Sequence, residues 1–519
     1  MKNIKKLLAV LIVLTMTVSM LSACGKSETS NEGSNNITDV ATATATEPAA
    51  QEDMAEVNVM VMSLGVIGDG KTAVEDAINA ITEKEINTHV TLTFVEVGSY
   101  SQQLGLAITG NEKIDLCLLT PIPGSSFSSL IAQNQLVPLN DLLPLYAPET
   151  VKTVGDLIKG TTVNGTTYAI PTYRDMASNA YIIARKDLLE SAGQLDAFNN
   201  MKTWSEYEKV MQAVTAKNDI SGISNGDAQG TVVTLGGLDA GSENFAENFT
   251  FDTLGDQYKI ISSDSNGKVY DYFESDSYKN AISRAHKWYE EGLVYKDAAT
   301  SKDTGDTLMK SNVSFSFVNM GETNVVANKT GATGHDVVVN KIASYILNTA
   351  ATTKFCWGVP VCATEKEAAV KFMNLMYTNS DIMNLLVYGI EGRDYTVTDG
   401  VANFADGVTA ENVKYHSNDF LWGNSFIAYP WASTANEREE SKAVMDATPV
   451  SPFLGFTCDT AKVSNELTAI QNVVSEYEPG LESGTTDNYN EFVKKLKDAG
   501  IDKIIAEYQS QLDAWKAAK

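Results

Sequence analysis

The chain has 519 residues, 43% of them hydrophobic, which is enough apolar material for two to four domains of ordinary size. Its 66 acidic residues outnumber 39 basic ones and give a net charge of −27. Phosphate backbones are held mainly by Lys and Arg, and no basic cluster follows residue 6, so a nucleic-acid partner is excluded.

The N-terminus carries three lysines in residues 1–6, then the apolar run Leu7 to Leu14 and a second stretch from Met16 to Met20. This is the basic region and apolar region of a secretory signal peptide. It ends in Leu21-Ser22-Ala23-Cys24-Gly25, which resembles the bacterial lipobox and implies a lipidated Cys24 as the first mature residue. Residues 24–55 are rich in Ser, Thr, Asn, Glu and Ala with no apolar period, so they are expected to form a disordered tether.

The body then alternates between strand and helix patterns. Val57 to Leu64 predicts a strand, Ala73 to Ile86 a helix with Val74, Ala77, Ile78 and Ile81 on one face, and Val90 to Val95 a second strand. A helix over Tyr100 to Thr109 and an apolar strand over Ile114 to Leu119 follow. Strand-helix-strand-helix-strand predicts a parallel sheet covered on both faces. Further on, Thr364-Glu365-Lys366-Glu367 reads as a capping box before a helix with Ala369, Phe372, Met373 and Met376 inward. Ile501, Ile504, Ile505, Tyr508, Leu512 and Trp515 form a helical stripe near the C-terminus.

Four cysteines remain beyond Cys24. Cys356 and Cys362 flank a strand-like Trp357-Gly358-Val359-Pro360-Val361, so their Cα atoms would stand roughly 20 Å apart and cannot pair. Buried free thiols are expected. His89, His286, His335 and His416 are scattered without ligand spacing, so neither a metal nor another cofactor is expected. Asp264-Ser265-Asn266-Gly267 is too short a match for a calcium loop. Gly65-Val66-Ile67-Gly68-Asp69-Gly70-Lys71-Thr72 satisfies the P-loop pattern, yet Asp69 would repel phosphate and no apolar strand ends in an Asp that could hold Mg²⁺. It is read as a Gly-rich turn opening a helix.

Several blocks resemble the extracellular solute-binding proteins of bacterial ABC importers, the group that includes maltose-binding proteins. Val137-Pro138-Leu139-Asn140-Asp141-Leu142-Leu143, Asn164-Gly165-Thr166-Thr167-Tyr168-Ala169-Ile170-Pro171, Arg185-Lys186-Asp187-Leu188-Leu189 and Thr203-Trp204-Ser205-Glu206-Tyr207 are similar to that family's blocks and stand in its order. Tyr388 to Tyr395 and the tail around Leu496 to Trp515 are similar to a lipoprotein subgroup with a C-terminal domain of unassigned role. The resemblance implies a type II periplasmic-binding-protein-like α/β fold: two lobes joined by crossing strands, with the ligand cleft between them. Lobe 1 would span 56–172 plus about 356–395, and lobe 2 would span 173–355 plus about 396–519.

By family position and by the chemistry of sugar pockets, which pair aromatic planes with polar side chains, the ligand-facing residues implied are Gly65, Asp69, Thr120, Tyr173, Arg174, Asn319, Glu322, Trp357, Trp422 and Trp431. The stretch Tyr415 to Trp431 concentrates aromatics, including Phe420 and Phe426, without helical period. The function implied is a monomeric, lipid-anchored receptor on the outer face of the membrane, delivering a mono- or oligosaccharide to ABC permease subunits without chemistry of its own. A secreted carbohydrate-active enzyme and a ligand sensor for a membrane kinase are the competing readings, although neither a G-x-S-x-G nor an H-E-x-x-H motif is present.

Overall fold

The structure is a computed structural model that describes residues 53–226, 230–232, 238–255, 261–433 and 435–519. The signal peptide, Cys24 and nearly all of the tether lie outside the described residues. Among the described residues no helix is long and apolar enough to cross a membrane.

The first sheet is built from strands Ala55–Ser63, Thr88–Glu96 and Leu116–Leu119, with the two parallel crossovers made by helices Lys71–Ile86 and Val97–Thr109. Val57, Val59 and Val61 alternate into the core, while all four residues of Leu116–Leu119 are buried, as a central strand covered on both faces requires. Glu75 fixes helix to sheet by accepting from the Leu92 backbone N–H at 2.7 Å. Two strands from distant sequence complete the sheet: Cys356–Gly358 runs antiparallel between Leu116–Leu119 and Ala169–Pro171, with Trp357 opposite Leu118 and Ile170.

The second sheet has the order Val337–Ala343, Asn179–Arg185, Ser314–Gly321, Ser221–Ser224, mixed in direction. Against it packs helix Trp204–Thr215, opened by a reciprocal cap in which the Glu206 N–H donates to Thr203 Oγ1 and the Thr203 N–H donates to Glu206. Trp204, Tyr207 and Trp288 meet edge to face beneath it.

A third core gathers helices Ser464–Glu482, Tyr489–Ala499 and Ile501–Ala517 around Phe251, Tyr272, Phe273 and Tyr278. Gly500 lets the last two helices meet, because its φ of +98° at the junction is open only to a residue without Cβ.

Two expectations change. The capping box at Thr364 does not form: helix Lys366–Thr378 has no side-chain cap of its own. Instead buried Asp115 reaches across from the first sheet and accepts from the backbone N–H groups of Thr364 and Glu365, both at 2.9 Å, and from that of Asn58. A carboxylate that can accept several amide bonds outcompetes a hydroxyl that would cap one. The segment after 396 also differs. Ala402, Tyr415, Trp422, Ala428 and Met445 pack into the first core rather than with the second sheet. The cause is pairing: Tyr415–Ser417 runs antiparallel to Gly65–Ile67, which draws the following loop onto the first sheet.

Candidate functional site

The chain passes between the two sheets at 172–178 and 344–355, and again near 446–451, where the Ser451 N–H donates to Leu347 O and the Leu347 N–H to Pro449 O. A cavity of about 560 Å³ opens beside these crossings. Its walls come from four places: Arg174 and Asp175 after the first crossing, Glu322 to Asn328 beyond the strand Ser314–Gly321, Lys354 and Phe355 before the return, and the loop and helix from Asn418 to Ser441.

Aromatic planes stand among these polar walls. Phe355 and Phe420 meet with ring centroids 5.2 Å apart. Tyr173 lies edge-on to Phe426 at 5.5 Å and donates its hydroxyl to Asp446. Arg174 sits over the Phe355 ring at 5.7 Å, and Arg438 over Phe426 at the same distance.

Asp175 ties the walls together. Its carboxylate accepts from Thr323 Oγ1 at 3.2 Å and from Ser441 Oγ at 2.5 Å, joining the second sheet's loop to the helix Arg438–Ala447. Arg438 donates to the carbonyls of Ser425 and Ala428 and pairs with Asp419 at 3.5 Å. Several polar atoms nevertheless have nothing to bind. Arg174 Nε, Arg438 Nε and Glu437 Oε2 are buried without partners among the described residues, and all three belong to residues lining this cavity. A buried polar atom without a partner costs about 1–3 kcal/mol, so such atoms mark either strain or a place where a ligand completes the bonding.

The charges are tuned accordingly. Burial lowers the Arg174 guanidinium from its ordinary range, with Glu322 acting in the opposite direction. Burial and neighbouring Arg174 also lower the Lys354 ammonium, while burial raises the Glu437 carboxyl, helped by Glu440. Among the described residues, no group of three His, Cys, Asp or Glu could hold a metal ion.

Of the sequence-derived candidates, Arg174 and Glu322 line the cavity, and Tyr173 packs directly behind Phe426. The others are placed elsewhere. Gly65 pairs with Ser417 in a two-stranded ribbon, and Asp69 is exposed beside Lys414 at 3.3 Å. Thr120 lies on a second cavity, its hydroxyl bonded to Ser125. Asn319 is buried in the second sheet opposite Tyr181, its side chain accepting from the Met320 N–H.

The tryptophans are structural in position. Trp357 and Trp422 are 0% exposed and stack on one another, centroids 5.5 Å apart and planes 19° from parallel. Both indole N–H groups are used, by Leu421 O and Ser417 Oγ. Trp431 packs on Tyr388, Phe404 and His416. The smaller aromatics beside them in sequence, Phe355 and Phe420, face the cavity instead. Glu437 and Arg438 carried a signal that could have found them, since a charged run directly after an aromatic-rich loop is the composition of a polar rim around a stacking surface.

Cys117, Cys356 and Cys362 are buried free thiols, and Cys458 is half-buried. The Gly-rich loop is filled by its own chain. The Gly68 N–H donates to Lys414 O, Arg393 donates to Gly70 O, and Lys71 pairs with Glu75.

Comparison with known proteins agrees with this architecture. Over 479 residues the chain is 25% identical to a "Carbohydrate ABC transporter substrate-binding protein" of Streptococcus pneumoniae serotype 4, covering 87% of this chain and 90% of that one. It is 24% identical to "Lipoprotein LipO" of Bacillus subtilis over 56% of this chain and 51% of the other. Among solved structures it is similar to the N-glycan transport solute binding protein NgtS of Streptococcus pneumoniae, with a TM-score of 0.71, 24% identity, and coverage of 89% and 98% of the two chains. Residues 452–517 match a "Domain of unknown function (DUF3502)". Residues 76–415 match the profile "Bacterial extracellular solute-binding protein". Two α/β lobes linked by crossing strands form the type II periplasmic-binding fold, and the chain belongs to the family of bacterial extracellular solute-binding proteins.

Proposed function

We propose that the protein captures a mono- or oligosaccharide in the 560 Å³ cavity and hands it unaltered to the permease of an ABC importer. The observation that carries this reading is the coincidence, in one cavity, of buried unpartnered polar atoms on Arg174, Arg438 and Glu437 with the rings of Phe355, Phe420 and Phe426. Sugars present flat C–H faces to aromatic rings and hydroxyls that both donate and accept, so they satisfy both features at once. NgtS, whose fold this chain shares, has been crystallised in complex with Man5GlcNAc and with Man1GlcNAc, which supports the same ligand class.

Capture would proceed by hinge closure, since the walls belong to segments packed on different sheets and linked through the crossings. Asp175, already bonded to Thr323 and Ser441, is placed to couple the two sides. No chemical step is assigned to the chain. Lipidation at Cys24 would hold the receptor on the outer face of the membrane beside its permease, and the likeness to Lipoprotein LipO fits that location.

The test is calorimetric titration of the compact unit 53–519 with mono-, di- and hexasaccharides of glucose, N-acetylglucosamine and mannose, with Man5GlcNAc and ATP-Mg²⁺ in parallel. A receptor binds one sugar class and releases it chemically unchanged. Turnover of the sugar would make the protein an enzyme. Binding of ATP-Mg²⁺ alone would return attention to the Gly65 to Thr72 loop.

A further inference from the structure

A second cavity of about 410 Å³ lies against the first, and Lys354 lines both. Four regions enclose it: the hydroxyl-rich loop from Thr120 to Ser129, Gly255, the crossing from Thr349 to Lys354, and Thr457, Thr460, Leu467 and Tyr508 of the C-terminal domain. Each cavity falls within the ~300–1,000 Å³ usual for ligand sites.

The lining chemistry is selective. It is dominated by Ser and Thr hydroxyls, with Phe127, Leu467 and Tyr508 as apolar surface and no carboxylate, in a chain that has 66 acidic residues. Lys354 is its only charged group, and its ammonium makes no hydrogen bond or salt bridge among the described residues. A cationic ligand would find no counter-charge here. An anionic one would approach a strongly negative protein for the sake of a single ammonium. The hydroxyls of Thr120, Ser126, Thr349 and Thr353 are engaged within the protein, but those of Thr457 and Thr460 on the C-terminal side make no hydrogen bond among the described residues, so a neutral polyhydroxyl chain finds unmet hydroxyls there beside the ammonium of Lys354.

We propose that the second cavity extends the saccharide site, so that the C-terminal domain 452–517 holds the sugar units beyond those seated in the first cavity, with Lys354 at the junction. This rests on the saccharide reading above and deepens it. The cargo is a neutral oligosaccharide long enough to occupy both cavities, and the domain of unknown function is a ligand-selecting wall.

Two substitutions test this: Ser128→Trp and Thr457→Trp, each at an exposed residue and one on each side of the cavity, so that both fold and each fills the space. Di- and hexasaccharides of the series that binds the wild-type unit 53–519 are titrated into all three proteins, with melting temperatures as the folding control. The expected result is a hexasaccharide bound at least tenfold more tightly than the disaccharide by the wild type. Both variants should lose that advantage while keeping the wild-type disaccharide affinity. A hexasaccharide advantage that survives both substitutions, or no advantage in the wild type, overturns the extension and leaves the saccharide reading standing. Failure of every saccharide to bind the wild type overturns both.

Discussion

The Gly65 to Thr72 loop and the cavity around Arg174 make opposite cases. The loop carries a sequence motif associated with anion binding, but its groups are already engaged by Lys414, Arg393 and Glu75. The cavity carries no motif, yet it gathers buried polar atoms with no partner on Arg174, Glu437 and Arg438. The same contrast divides the aromatics. Trp357 and Trp422 are stacked, buried and fully hydrogen-bonded, whereas Phe355, Phe420 and Phe426 border open space. A ligand site is thus marked by bonding capacity the fold has left unmet, rather than by residue types that could bind if they were free.

The largest effect should come from removing a satisfied group. Trp357→Ala should lower unfolding stability by about 3–5 kcal/mol in urea titration, as for buried aromatics generally, because the indole packs against Trp422 and bonds Leu421 O. The variant that remains folded should bind saccharide as the wild type does. A large loss of affinity with unchanged stability would instead place Trp357 in the site.

Asp271 sharpens the contrast, because its unpartnered Oδ2 lies in the third core and outside both cavities. Burial pushes its carboxyl from 3.8 up to about 7. The folded state therefore holds this proton more tightly than the unfolded state between about pH 4 and 7. Stability falls as pH rises through that window, and the loss is complete above it. Asp271→Asn stays neutral, so its stability should not fall there and should exceed the wild type at pH 8 by on the order of 4 kcal/mol. Parallel pH profiles for the two proteins in denaturant titration would refute this account.

Arg174→Ala removes the unmet Nε donor from the cavity together with the bonds that the guanidinium gives to the carbonyls of Asp175 and Ala351. Saccharide Kd should rise tenfold to a hundredfold, the range for hydrogen bonds to charged groups, and the melting temperature should fall, because two carbonyls lose their donor. The smallest effect belongs to the loop. Lys71→Ala loses a half-buried i,i+4 pair with Glu75 worth about 0.5 kcal/mol and should leave saccharide affinity unchanged. An effect of Lys71→Ala on ligand binding as large as that of Arg174→Ala would erase the distinction between the two regions.

Local pattern made much of the fold readable. The strand-helix alternation from Val57 to Leu119 and the stripe from Ile501 to Trp515 follow from side-chain period, which acts over a few residues. Of the residues that line the candidate cavity, the sequence pointed only to Arg174 and Glu322, where the chain enters or leaves a sheet, because a strand end limits where the next residue can point.

The rest depended on contacts hundreds of residues apart. Asp115 displaced the cap expected at Thr364 because the fold brought a carboxylate to amides 249 residues away. Trp357 and Trp422 left the cleft because each found the other, and Lys354 entered two cavities because the C-terminal domain folds against the crossing. The sequence by itself determined the compartment expected for the chain, the alternating architecture and the family it resembles, since these are written in composition, period and ordered local blocks. Tertiary structure alone decided which polar atoms stay unbonded, because satisfaction of a donor or acceptor depends on every group that packs around it.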